Sequence, residues 1–365
     1  MGMKKIGILT LHRANNYGAV LQNYALQQAL LNLGAECETI DYIIPQIEKE
    51  YKNITLYRGL NPLKSICGLF WDIVNYSNSS CAYKKFEEFR NSKLQISSRR
   101  FDKTTINQCM YDVIIVGSDQ VWNSGIVRYD NIPTFGLDFT KSIKATYAAS
   151  CGNIKSIIPI ELIRKFDYIT VREKDLCDYL NDKGISAELV CDPTILLTKE
   201  VWQELIVDTK IDHSNYVYLY YIDSGKDEAA QIANDIASKE GINVYYSKRI
   251  DIDAIKHNYG VNRFSDGPLE FIKEIEQAEY VVVSSFHGVV FSILFEKEFV
   301  TLLHDNTGSR VFSLLKQLGL EDRIVKDYAD YKCRKFDKID FSSVRLKLDV
   351  MRKKSLEELR RISML

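Results

Sequence analysis

Proline is scarce in this chain, with six residues in 365, and glycine contributes only 18. Collagen-like and long linker-rich stretches are thereby excluded. Neither sign of charge is in excess, since 48 Lys and Arg stand against 49 Asp and Glu for a net charge of −1. Binding along nucleic-acid phosphates needs concentrated positive charge, so no nucleic-acid partner is expected. The eight cysteines (Cys37, Cys67, Cys81, Cys109, Cys151, Cys177, Cys191 and Cys333) include no two closer than fourteen positions. That spacing removes CxxC-type zinc, cluster and dithiol sites, and no metal site is expected. Reduced cysteines acting as small hydrophobes fit a chain large enough to bury a core. Long apolar runs are missing too. The stretch after Lys4 and Lys5 stops at His12 and Arg13, too short for a signal-peptide core. Tyr280 to Phe295, the least charged run, contains Ser284, Ser285 and His287 and falls short of the roughly 20 residues of a membrane span. A cytoplasmic protein is expected, at most resting on the inner face of a membrane.

What is present is the balance of a folded chain, 46% hydrophobic and 27% charged, long enough for about two domains. Lys5–Thr10 reads as a strand, Tyr17–Leu33 as a helix stopped by Gly34, and Glu36–Tyr42 as a second strand. This βαβ opening predicts a parallel sheet. Residues 45–100 read as helical and irregular. Strands are expected at 111–116, 145–149, 168–171 and 188–191, with a helix over 173–182. The alternation then restarts, with strands at 216–222, 242–246, 280–284 and 299–303 and helices at 227–239, 268–278, 287–295 and 309–318. The expected fold is α/β, with Rossmann-like domains at 1–195 and 196–330 and a tail at 331–365. The tail is basic and helical, and is expected to pack back on the N-terminal domain. It is also the one candidate for peripheral contact with anionic lipid headgroups.

Ligands of such folds sit beyond the carboxyl ends of the strands, so the turns there are the candidate sites. Val281–Gly288 runs from a β-branched strand straight into Ser284, Ser285 and His287 and a helix, beside N–H groups that favour anions. The plainer alternative is that Ser285 caps the helix and His287 is a satisfied core histidine. Asn15-Asn16-Tyr17-Gly18 follows the first strand but is not GxGxxG, so Asn16 is either a polar contact or a helix cap. Gly117-Ser118-Asp119 can present a carboxylate to a sugar hydroxyl, with Trp122 as a stacking face or a core residue. Arg172 ends another strand, where its fork suits a carboxylate or phosphate and an ion pair with Glu173 or Asp175 is the alternative. Gly308-Ser309-Arg310 opens the last helix of the second half with amides and a guanidinium.

In this order the segments KKIGILT, NNYGAVLQNYAL, YDVIIVGSDQVWN, YITVREKDLCDYLNDKGI, VCDPTILL, VVVSSFHGVVFSILF and TGSRVFSLLKQLGL resemble the polysaccharide pyruvyl transferase family, from about residue 4 to residue 325. The resemblance implies two Rossmann-like domains facing across a cleft, similar to the GT-B glycosyltransferase fold. It also implies transfer of the enolpyruvyl carbons of phosphoenolpyruvate onto two hydroxyls of a sugar, giving a pyruvate ketal and phosphate, with no cofactor beyond that donor. His287 matches the family's histidine after a Ser-x strand end, and Arg172 matches the arginine of a V-R-[DE] segment. Where some members carry Arg and Leu before the histidine, this chain has Ser285 and Phe286. In the expected division of labour, Arg172, Ser285, Ser309 and Arg310 hold the donor and Asn16 and Trp122 the acceptor. His287 supplies a proton or a phosphate contact, since imidazole titrates closest to neutrality. Asp119 orients or deprotonates the acceptor hydroxyl. The expected partner is a sugar acceptor, free or carried on a lipid-linked oligosaccharide. A nucleotide-sugar glycosyltransferase and a non-catalytic carbohydrate-binding protein are the rival readings on the same frame.

Overall fold

The computed structural model describes residues 4–45, 62–123, 133–152, 158–221, 226–250, 259–303 and 308–365. Thr307 of the TGSR segment and Ile222 of an expected strand lie outside them. The chain divides into two compact units. One holds residues 1–48, 90–198 and 342–365, the other 49–89 and 199–341.

The first unit is built on strands β1 (Lys5–Leu9), β2 (Glu36–Tyr42), β3 (Ile96–Phe101), β4 (Val113–Val116) and β5 (Ile143–Thr146). They pair in the order β3-β2-β1-β4-β5, every pairing parallel. β1 and β4 are buried almost throughout, as strands covered on both faces must be. Gly7 is required in β1, because a Cβ there would lie 2.8 Å from Ile40 Cδ1 and from the Tyr111 ring. Helix α1 (Tyr17–Asn32) follows β1 and is buried nearly all round, so its polar side chains need internal partners. They have them: Gln22 donates to Thr10 Oγ1 at 2.9 Å, Asn23 pairs with Thr39, and Gln27 exchanges hydrogen bonds with the Gln95 backbone. Gly34, at φ 81°, closes α1 in the left-handed conformation that glycine adopts without a Cβ penalty. A short parallel pair, β6 (Thr170–Val171) with β7 (Glu188–Leu189), joins beyond β5 through bridges Ala145–Tyr168 and Ala149–Val171.

In the second unit, β8 (Tyr216–Tyr220), β9 (Asn243–Tyr246), β10 (Val261–Asn262), β11 (Tyr280–Val283), β12 (Glu298–Leu302) and β13 (Ile324–Val325) pair in the order β10-β9-β8-β11-β12-β13, again all parallel. Counting from β8, this is the 3-2-1-4-5-6 order of a dinucleotide-binding fold, and the first unit reproduces its 3-2-1-4-5 part. The strand order reverses between β1 and β4 in one unit and between β8 and β11 in the other. Those two switch points are where a ligand crevice opens at the strands' carboxyl ends.

Two expected boundaries differ from the observed ones. The span 1–195 is interrupted, because 49–89 belongs to the second unit. The reason lies on helix α2 (Pro62–Lys93): Asp72 pairs with Arg249 at 2.7 Å, Asn75 exchanges hydrogen bonds with the Ile250 backbone, and Lys85 pairs with Glu270 at 2.8 Å. The tail begins at 342 rather than 331, since residues 331–341 stay with the second unit. Among them, Ile339 N donates to Glu298 Oε1, and Tyr331 lies in the core around β8. The final helix, α3 (Phe341–Met364), lies on the first unit. There Ser355 Oγ accepts from Cys191 N, Arg352 donates to Ile195 O, and Glu358 accepts from the Tyr168 hydroxyl.

Candidate active site

At the switch point of the first unit, β4 runs into Gly117-Ser118-Asp119. Backbone bonds tie the turn to its neighbours, with Gly117 N donating to Leu9 O and Trp122 N to Ser150 O, both at 3.0 Å. Asp119 adopts φ 68°, a left-handed conformation that aspartate tolerates better than most residues. Ala148 beside it, at φ 52°, is strained in the same sense. Strain of this kind persists only where surrounding structure fixes it, and it gathers at functional turns.

The surrounding structure is a buried ionic cluster. Asp192 lies just after β7 and opens the short helix Pro193–Leu196, where it accepts from Thr194 N at 3.0 Å and from Thr194 Oγ1 at 2.6 Å. Its other oxygen accepts from Ser118 Oγ at 3.1 Å and from Arg172 Nη1 at 2.6 Å. Arg172 Nε donates to Glu173 at 2.9 Å, and Nη2 lies 4.0 Å from Asp119 Oδ1. Burial opposes the charge on Arg172, but Glu173, Asp192 and Asp119 outweigh it and hold the guanidinium firmly protonated. One arginine thus locks the ends of β4, β6 and β7 together and faces the Asp119 carboxylate.

This geometry changes the role of Arg172. Its side chain is 3% exposed and its charge is met by carboxylates of the protein, so an ion pair replaces the expected donor contact. Trp122 is likewise corrected. It is 0% exposed, its indole N–H donates to Thr134 O, and its edge packs on Phe166. It is a core residue with no face to stack on a sugar. Asn16 caps α1, its side-chain oxygen accepting from Ala19 N at 3.2 Å.

Around the end of β1 the structure gathers residues absent from the sequence-based candidates. Arg13 forks onto Asp41 at 2.6 and 2.8 Å, His12 Nε2 lies 3.1 Å from the same carboxylate, and Arg90 reaches Asn15 at 2.8 Å. Burial raises the Asp41 acid, yet hydrogen bonds from His12 and Arg13 overcome it and hold the carboxyl far below the usual range. The signal was present in Leu11-His12-Arg13-Ala14, which stands in the ligand-side turn of the first strand.

At the second switch point β11 runs into Ser284-Ser285. Ser285 caps helix α4 (Phe286–Leu294), its Oγ accepting from Gly288 N at 2.9 Å. Gly288 is obligatory, because a Cβ there would lie 2.3 Å from Val283 Cγ2 and 2.7 Å from Ser285 Oγ. His287 lies edge-on to the Phe286 ring, centroids 5.2 Å apart, and the Arg310 guanidinium stands 5.7 Å over that same ring. Arg310 comes from helix α5 (Gly308–Leu318). The structure therefore groups Ser285, His287 and Arg310 around Phe286, next to a helix N-terminus. Ser309 is exposed on the first turn of α5. A cation, an imidazole and helix amides at one strand end suit an anionic ligand.

Comparison with known proteins agrees with this architecture. No curated protein matches the chain. Among solved structures it is similar to UDP-GlcNAc 2-epimerase from Methanocaldococcus jannaschii, with 13% identity, 96% of this chain and 92% of that one covered, and TM-score 0.51. It is also similar to UDP-GlcNAc 2-epimerase from Neisseria meningitidis bound to UDP-GlcNAc, with 11% identity, 99% and 94% covered, and TM-score 0.50. The glycosyltransferase SnogD from Streptomyces nogalater aligns over 100% of this chain and 98% of its own, with 11% identity and TM-score 0.45. At these identities the two epimerase structures speak for the fold alone, a two-domain α/β frame. The model of one family matches residues 16–306, from the Asn16 cap through the Asp119 cluster to the Ser285–His287 turn, and the chain belongs to the polysaccharide pyruvyl transferase family.

Proposed function

We propose that the protein transfers the enolpyruvyl group of phosphoenolpyruvate onto two hydroxyls of a sugar in a cell-surface polysaccharide or its precursor. The observation that carries the reading is the grouping of His287 and Arg310 around Phe286 at the N-terminus of α4. A donor bearing both carboxylate and phosphate needs a cation and convergent N–H groups, and this turn supplies them.

In the proposed reaction His287 delivers a proton to the methylene carbon of phosphoenolpyruvate. The resulting oxocarbenium-like carbon is attacked by one sugar hydroxyl, which gives up its proton. The C–O bond to phosphate then breaks, the second hydroxyl adds to the same carbon, and its proton leaves with phosphate. Exchange with solvent then removes the proton that Asp119 received and restores the one that His287 gave, so the net products are the ketal and hydrogen phosphate and the reaction consumes no cofactor. Arg310 holds the donor's negative charge through a charge-assisted contact. Asp119 orients the acceptor hydroxyl and accepts its proton, while Arg172, Asp192 and Ser118 position Asp119.

Titration calorimetry with phosphoenolpyruvate, paired with phosphate release in the presence of sugar acceptors, tests this reading. Donor binding that weakens at least tenfold in Arg310→Gln supports it. Binding of nucleotide diphosphate sugars with no heat from phosphoenolpyruvate would choose the glycosyltransferase reading. Oligosaccharide binding with neither donor would choose the non-catalytic one.

A further inference from the structure

Helix α3 has two faces of opposite character. Val344, Leu348, Ser355, Glu358, Leu359 and Ile362 are buried on the first unit. The opposite side carries Leu346, Val350 and Met364, exposed by 70%, 71% and 71%. On a 3.6-residue helix these share one line with Lys353, Glu357 and Arg360, all exposed. Arg345 and Lys347 flank the apolar pair, and Lys354 and Arg361 border the basic end.

Seven Lys and Arg against three Asp and Glu occupy residues 341–364, in a chain whose net charge is −1. Of the acidic residues Glu358 turns inward to Tyr168, and Asp349 pairs with Arg352. Glu357 is the remaining carboxylate on the outward line. The helix is thus anchored by one face while the other presents basic residues interspersed with bare Leu, Val and Met side chains. Among the described residues no helix is long and apolar enough to cross a membrane, and a helix of this kind lies flat in the headgroup region instead.

We propose that the outward face of α3 docks the protein on a bilayer containing anionic lipid, with Leu346 and Val350 entering the acyl boundary and Lys353, Lys354 and Arg360 meeting headgroup charge. Charge complementarity selects this occupant. The inward packing of α3 and the membrane contact coexist because they use opposite faces.

The test is co-sedimentation of the full chain with phosphatidylcholine vesicles, with and without phosphatidylglycerol, at low and high salt. The wild type should sediment only with phosphatidylglycerol vesicles and be released by salt. Replacing Lys353, Lys354 and Arg360 together by Gln should lower the partition coefficient about a hundredfold, given the attraction per basic residue at an anionic surface. The pair Leu346→Ser and Val350→Ser should lower it several-fold with the melting temperature unchanged. Equal binding to zwitterionic and anionic vesicles, or none to either, would overturn the proposal. So would concentration-dependent dimerisation without vesicles that is lost in the Ser pair, which would assign the face to a second copy. Should a variant fold poorly, the salt and lipid dependence of the wild type decides by itself.

Discussion

Replacing Arg172 by Met separates structural from ligand-binding use of this arginine. The guanidinium is 3% exposed and touches Glu173 at 2.9 Å and Asp192 at 2.6 Å, with Asp119 at 4.0 Å. Methionine retains much of the stem's volume but leaves those carboxylates in a site from which water is excluded. Breaking a buried ion pair from one side costs about 3–5 kcal/mol. For a unit of this size each kcal/mol shifts the midpoint by about 2–4 °C, so the transition of the first unit should fall by roughly 6–20 °C. Differential scanning calorimetry reads that shift, and titration calorimetry on the folded variant reads phosphoenolpyruvate affinity, expected within about twofold of wild type on the scale where tenfold is 1.4 kcal/mol. Adding Asp192→Asn should recover part of the loss, because the second change removes one of the carboxylates that the first orphaned. The coupling in that double-mutant cycle should exceed 0.5 kcal/mol, as it does for contacting residues. A melting temperature within a degree or two of wild type, together with tenfold weaker donor binding, would refute the reasoning and return Arg172 to the donor.

Four further outcomes are expected. His287→Gln should abolish phosphate release while leaving the melting temperature within a few degrees; full activity would remove it from the mechanism. Asp119→Asn keeps a residue tolerant of φ 68°, so turnover should fall at unchanged stability and donor affinity; the reverse pattern would make Asp119 structural. Gly288→Ala forces a Cβ to 2.3 Å from Val283 Cγ2 and should destabilise the second unit by about 1–3 kcal/mol in urea titration, with loss of donor binding. Burial and the Glu274 charge push Asp266 up to about 7, against Arg263 and Lys85. A folded pKa above the unfolded value gives stability present below about pH 4 and lost as pH rises through 7. Asp266→Asn should therefore gain in melting temperature relative to wild type between pH 5 and pH 8, and a constant difference across that range would contradict the assignment.

Strongly patterned central elements were legible in the sequence and polar edges were not. Val113–Val116 and Val281–Val283 are continuous apolar runs because their strands are covered on both faces. Strand β3, Ile-Ser-Ser-Arg-Arg-Phe, sits at the sheet edge with three exposed residues in succession. Nothing apolar marks it, so it disappears into the region read as helical and irregular. Strands β10 and β13 have only two residues each, too few for a period to show. The insert 49–89 changes units through Asp72, Asn75 and Lys85, whose partners lie far away in sequence and leave no local trace.

The candidate site divides along the same line, and the division has a physical cause. Turns at strand ends could be found by position alone, which is why Asp119, Arg172, Ser285 and His287 stood out. What a turn residue does depends on which other strand ends meet it, and that is set by sheet order. Asp192 reads as the turn before a proline until β7 is placed beside β6, where it becomes the hub receiving Ser118, Thr194 and Arg172. Arg172 reads as an anion-binding fork until the same placement surrounds it with carboxylates. Arg310 was legible only as part of a helix-opening Gly-Ser-Arg, and packing of α5 beside α4 sets its guanidinium over the Phe286 ring, which His287 also meets. A cation's role at a strand end is thus decided by the charges that the neighbouring strand ends bring. By that criterion Arg172, met by Glu173 and Asp192, serves the fold first, and its loss should cost stability before it costs donor affinity.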